Sequence, residues 1–335
     1  MSNSSTRSEE NPEAHSTTAV GPSQSGSAKR LWVAELALLL VAVVWGINVP
    51  VMKSALQLGI DPYALNAIRL VISMLVLQFA ASIEFRCGVR PDKSIRWSRI
   101  LMYAMVVSVG YQILFLLAVS KTSSADVALI MATVPMWTAL MARVFLSERL
   151  RPLSWLGLFI ALAGTIIVAG GKAAPTSRPD ELPHRFAGNV IALIAALTWA
   201  GGTVFSRPVL KMISPTQLAA VSTTIGLPCH LLIAGTATVS ALPLLEQVPL
   251  QICLIYSGIL STGLALPMWS YGVKHAGAAQ ATMYQNLSPI VAIAAAWLWR
   301  AEPVSVEQFA GGTLILLGLL VMRHSRIREL AEVAK

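Results

Sequence analysis

The residues of this chain best suited to recognising a small molecule lie inside its most apolar segments. In the segment VAVVWGINVPVMKSA, residues 41–55, Trp45, Asn48 and Met52 fall at i, i+3 and i+7, so a helix gathers them on one face. An indole brings a large apolar surface with one N–H, and a carboxamide brings both donors and an acceptor. A second set contains Tyr111, Gln112 and Phe115 at i, i+1 and i+4, and a third, MYQNLSPI at 283–290, puts Tyr284, Gln285 and Ser288 on one broad face with Asn286 at its edge. Uncharged hydrogen-bonding groups interleaved with aromatics suit a pocket for a small molecule having polar and apolar parts. The same groups can also join helices, where an interhelical hydrogen bond contributes about 0.6 kcal/mol and at most ~2.

Tryptophan position separates these uses. Trp32, Trp97, Trp155, Trp297 and Trp299 lie near the ends of apolar segments, as interfacial anchors do, whereas Trp45, Trp137 and Trp199 lie near the middle and Trp269 in an inner third. Arg69 stands about two helical turns into its segment, where a cation costs roughly 2.5–3.5 kcal/mol on insertion scales. It therefore requires polar company, either backbone carbonyls at a broken helix or a ligand carboxylate. The candidate substrate-binding set is Trp45, Asn48, Arg69, Tyr111, Gln112, Trp137, Trp199, Tyr284, Gln285 and Ser288. No catalytic residue, metal ligand set or cofactor is expected.

The elements holding these residues are membrane helices. Of 335 residues, 55% are apolar and 12% charged, with mean hydropathy +0.66, too little charge for a soluble domain of this length. Ten apolar runs, approximately 34–53, 62–82, 100–120, 124–143, 152–170, 187–207, 216–237, 250–272, 278–299 and 305–323, each approach the roughly 20 residues that cross a bilayer. Residues 1–30, rich in Ser, Thr, Pro and Gly and without a signal-peptide core, read as a disordered cytoplasmic tail. Cys87, Cys229 and Cys253 suggest neither a disulfide framework nor a metal spacing.

Net charge is +9, and its placement bears on topology. With the N-terminus inside, 18 of the 25 basic residues fall on cytoplasmic segments, six fall outside, and Arg69 is left within a helix. Both termini are therefore expected in the cytoplasm. The basic excess then faces anionic lipid, which argues against a nucleic-acid partner.

A repeat is present. An offset of 154 residues pairs Trp45 with Trp199, Pro135 with Pro289, Glu148 with Glu302, Gly157 with Gly311 and Gly164 with Gly318, and an offset of 153 pairs Pro62 with Pro215. Each copy has five expected helices. An odd number inverts the second copy in the membrane, an arrangement found in secondary transporters. Pro135 and Pro289 are expected to bend their helices, Gly46, Pro50, Gly201 and Gly202 to permit hinges or close approach, and Glu148 and Glu302 to cap the following helices.

With this duplication, WGINVPVMK and its echo WAGGTVFSR, Arg69 after DPYALNAI, SERL and AEPV around the two glutamates, and the glycine-spaced LGLFIALAGTIIV and GGTLILLGLLV, the chain resembles the EamA-type family of the drug/metabolite transporter superfamily. The resemblance covers residues 34–323. It implies an all-α integral membrane protein of ten helices in two inverted five-helix repeats, 34–170 and 187–323, joined by an extracytoplasmic linker at 171–186 and followed by a cytoplasmic tail at 324–335. It further implies export of a small, amino-acid-like or related amphiphilic metabolite across a bacterial inner membrane by alternating access. The second copy departs from the first, with Gly202 opposite Asn48 and Ser222 opposite Arg69, so any site is asymmetric. A channel, a receptor and a nucleotide-sugar-type antiporter are the alternatives, and a homodimer is left open. An enzyme is disfavoured because no intramembrane Asp pair, HExxH or Ser/His constellation is present. None of the 16 acidic residues falls at mid-depth, so no carboxylate proton relay is expected.

Overall fold

The computed structural model describes residues 22–121, 127, 130–131, 133–148, 150–170, 185–300 and 306–333. The described residues form helices and turns and no strand. In chain order the α-helices are α1 (Pro22–Gln57), α2 (Pro62–Arg86), α3 (Trp97–Tyr103), α4 (Gln112–Lys121), α5 (Val134–Phe145), α6 (Pro152–Gly170) and α7 (Arg185–Val209). They continue with α8 (Pro215–Ala234), α9 (Thr236–Ser240), α10 (Val248–Ile255), α11 (Ala265–Ala276), α12 (Ala278–Tyr284), α13 (Ser288–Arg300) and α14 (Val306–Val333). Residues 22–30 of the expected tail belong to α1, while residues 1–21, most of the linker at 171–186 and the expected cap Glu302 lie outside the described residues.

Local sequence accounts for the starts. Asp61 caps α2 by accepting from the amides of Tyr63 and Ala64, and Ser214 caps α8 by accepting from Gln217, each followed by a proline that needs no partner in the first turn. The repeated Pro62 and Pro215 are therefore one start signal used twice. Pro135 and Pro289 behave alike. Lacking an N–H and crowding the carbonyl four residues back, each stands in the first turn of its helix, α5 or α13. Before Pro289 the chain passes through a 3₁₀ turn, Gln285–Leu287, which divides the ninth expected span.

Among the described residues, six helices are long and apolar enough to cross a membrane: Lys29–Gln57, Pro62–Arg86, Trp97–Ala118, Phe186–Val209, Pro215–Ala234 and Val248–Ala276. Three apolar helices are shorter, Val134–Phe145, Pro152–Ile167 and Phe309–Ser325. The long helices among these carry large apolar side chains on their outer faces, including Phe79, Phe186 and Leu232, as contact with hydrocarbon demands. Two of the long helices contain π-helical segments the sequence did not announce, Ala104–Tyr111 between α3 and α4 and Tyr256–Leu264 between α10 and α11. They occupy corresponding places in the two copies.

The main helix pairings join one copy to the other and come in matched sets. α1 packs on α11 and α13, while its repeat counterpart α7 packs on α4 and α5; α2 packs on α8, and α6 on α14. The α6–α14 crossing brings backbone close to backbone. A Cβ on Gly157 would lie 2.6 Å from the Gly318 carbonyl oxygen, and one on Gly164 would lie 2.5 Å from that of Gly311. These are the repeat-matched glycines taken crosswise, the reciprocal contact that a two-fold relation between copies produces.

Candidate functional site

Three indoles meet where the copies cross. Trp45 of α1 touches Trp199 of α7 with ring centroids 5.9 Å apart and planes at 68°, and Trp269 of α11 lies 5.4 Å from Trp45 and 5.7 Å from Trp199. Tyr111 stacks on Trp199 at 4.7 Å and on Phe115 at 5.8 Å. Trp199 and Trp269 are buried; Trp45 Nε1 donates to the Ser261 carbonyl at 2.9 Å and Trp199 Nε1 to Gln285 Oε1 at 3.3 Å.

A polar chain lies beside this cluster. Arg69 donates from Nε and Nη2 to Asn66 Oδ1 at 2.9 and 2.7 Å, from Nη1 to Thr262 Oγ1 at 3.2 Å, and from Nη2 to Gln112 Oε1 at 3.2 Å. The other end of the Asn66 amide donates to His230 Nδ1 at 3.2 Å, and His230 Nε2 donates to the Ser108 carbonyl at 2.7 Å. Because the amide nitrogen is only a donor and the carbonyl only an acceptor, this pattern requires neutral imidazole protonated on Nε2. Asn48 Oδ1 accepts from Ser257 at 2.7 Å, and Tyr256 donates to the Val44 carbonyl at 3.0 Å.

The π-helical segments make this wiring possible. Their carbonyls at Ser108, Gly258 and Ser261 accept from His230, Ser73 and Trp45 respectively, each on the opposite copy. Small residues allow the approach: a Cβ on Gly226 would meet Ser108, and one on Gly258 would meet Ile72. Beside the first π-helical segment is a small cavity of about 30 Å³, lined by Ser108, Gln112, Trp199, Ser222, Thr223 and His230 among others.

Of the sequence-derived set, Trp45, Trp199, Tyr111, Arg69 and Gln112 converge here, and Asn48 and Gln285 support the cluster through Ser257 and Trp199. Ser288 instead donates to the Ala42 carbonyl at 3.1 Å, tying α13 to α1 beside the close approach of Gly46 to Val291. Trp137 donates to Thr133 of its own helix region at 3.0 Å and packs against the apolar core without a ring contact to the three indoles. Tyr284 is buried and lines a separate lateral groove of about 370 Å³ with Trp32, Leu36, Met283 and Arg323. Sequence reasoning missed Trp269, Asn66, Ser257 and Thr262. Asn66 was within reach of it, lying one helical turn before Arg69.

Glu148 was expected to cap the next helix, but its partner is Arg207. They form an ion pair with each other, joining the end of α5 to the end of α7 across the copies. Gly277 packs beside them; its φ of +102° is a conformation that favours glycine, and a Cβ there would lie at ordinary contact distance, 3.4 Å, from both side chains. Among the described residues no group of three or more His, Cys, Asp or Glu side chains could hold a metal ion.

A helical membrane fold built from two interlocked copies, with its polar and aromatic groups at their crossing, is the architecture of a carrier. The chain belongs to the EamA-like transporter family, whose model matches residues 32–170 and 186–323, one match for each copy. It is 26% identical over 322 residues to the "Probable terminal-alkyne amino-acid exporter" of Streptantibioticus cattleyicolor, covering 92% of this chain and 97% of that one. It is 24% identical to the uncharacterized inner membrane transporter YedA of Escherichia coli K12, covering 85% and 89%, and 23% identical to the uncharacterized transporter YoaV of Bacillus subtilis, covering 85% and 95%. A crystal structure superposes with TM-score 0.70 at 19% identity over 88% of this chain and 98% of its own, a likeness of fold. The protein is thus an integral membrane transporter of this family.

Proposed function

We propose that this protein is a ten-span secondary transporter in which two inverted five-helix copies alternate access to a shared centre, exporting a small amphiphilic metabolite of amino-acid type across a bacterial inner membrane. The observation that carries this reading is the contact of Trp45 with Trp199, equivalent residues of the two copies facing each other at their crossing. A site at that place changes whenever one copy rocks against the other. The amino-acid element draws on the printed name of the Streptantibioticus relative.

Both termini are assigned to the cytoplasm on the charge distribution, and the chain acts as a carrier, with no catalytic group assigned. The test is reconstitution in proteoliposomes with counterflow of radiolabelled amino acids and related amphiphiles. Saturable counterflow supports the reading. Ligand-evoked current without saturation would favour a channel, and absence of both across a broad panel would remove the transport proposal.

A further inference from the structure

We infer that the cargo carries a negatively charged group, a carboxylate or its equivalent, and that Arg69 receives it. The inference rests on the transporter reading and specifies the chemistry of its centre. Arg69 is a fixed cation inside a membrane helix, and all its acceptors, Asn66 Oδ1, Gln112 Oε1 and Thr262 Oγ1, are neutral oxygens. They satisfy hydrogen-bonding geometry but bring no opposite charge. The remaining N–H of Nη1 makes no hydrogen bond among the described residues. Among the described residues Arg69 has no protein counter-ion, and a cation so placed at such depth is matched to a charge that comes and goes.

The geometry supplies a route for that charge. Gln112 touches Arg69 at 3.2 Å and also lines the small central cavity, so one side chain separates the guanidinium from the space between the copies. An entering carboxylate exchanges the neutral amide for a charge-assisted, two-pronged contact, which is shorter and stronger. The opposite wall differs. Ser222, the repeat counterpart of Arg69, and its neighbour Thr223 line the cavity with hydroxyls. Arg69 also binds Thr262, on the other copy's π-helical segment, so a group held there contacts elements of both copies. Cargo is therefore oriented, with its anionic end toward α2 and its apolar body toward the indoles.

The test is equilibrium binding to the purified full-length protein of phenylalanine, leucine and norleucine, each compared with its own carboxamide, alongside counterflow of the same compounds. The expected result is at least tenfold tighter binding of acid than amide for one or more scaffolds. Arg69→Gln should lose that preference while amide binding stays within twofold, and Arg69→Lys should fall between. Equal binding of acid and amide by the wild-type protein overturns the inference, as does no acid binding at all or an acid preference that survives in Arg69→Gln. The wild-type comparison needs no variant to fold. Saturable counterflow of amides with these negative outcomes leaves the transporter reading standing, whereas no counterflow of any compound counts against that reading separately.

Discussion

Trp45 and Trp199 stand 154 residues apart in sequence, yet their rings meet edge to face with centroids 5.9 Å apart. Two equivalent residues touch only where the relation between copies passes between them. The contact therefore marks the crossing point, and Trp269, Tyr111 and the Arg69 chain gather around it.

The crosswise glycine contacts give the first expected outcome. Gly157→Ala or Gly164→Ala drives a methyl group into a backbone carbonyl, and overpacking of this kind costs about 1–3 kcal/mol. Either variant should melt several degrees below wild type, and valine should be worse than alanine. Gly312→Ala, whose new methyl group would find only Ile290 at 3.9 Å, is the control and should melt with the parent. Equal melting of all three would remove the close α6–α14 crossing.

Glu148 and Arg207 predict a charge-swap result. The pair is only partly buried, with side chains 19% and 30% exposed, so its coupling should be about 1 kcal/mol or less and should weaken with salt. Glu148→Arg or Arg207→Glu alone should lower stability, and the double exchange should recover part of the loss. Additive losses in the double variant would mean that the two side chains do not act as a pair.

How much of this was legible in the sequence depends on what physics made periodic. Lipid demands long apolar runs, and duplication demands a constant offset, so the all-helical character and the Trp45/Trp199 and Gly157/Gly311 matches could be read directly, whereas the six crossing helices among the described residues do not reproduce the ten expected spans. The π-helical segments could not, because a change in hydrogen-bond register leaves apolar composition untouched. Trp269 read as intermediate because its depth was counted along a regular helix, and the π-helical segment ahead of it alters that count. Glu148 fitted a cap by position alone; only the folded chain brings Arg207 beside it.

The charge distribution predicts that the 86–99 segment and the 171–186 segment face opposite sides of the membrane. Single cysteines at Ser94 and Ala174 should react with an impermeant thiol reagent from opposite sides, Ser94 from the cytoplasm, in a background lacking Cys87, Cys229 and Cys253. Labelling of both from one side would contradict the inverted arrangement.

The most direct test of the central claim pairs two readings on purified Trp45→Ala and Trp199→Ala proteins: melting temperature and equilibrium binding of a ligand that the wild-type protein carries. If the indoles face cargo, each loss removes a large contact surface, and affinity should fall roughly ten- to hundredfold, about 1.4 kcal/mol for each factor of ten. A lowered melting temperature with unchanged affinity in both variants would contradict the account and leave the three tryptophans as packing between the copies.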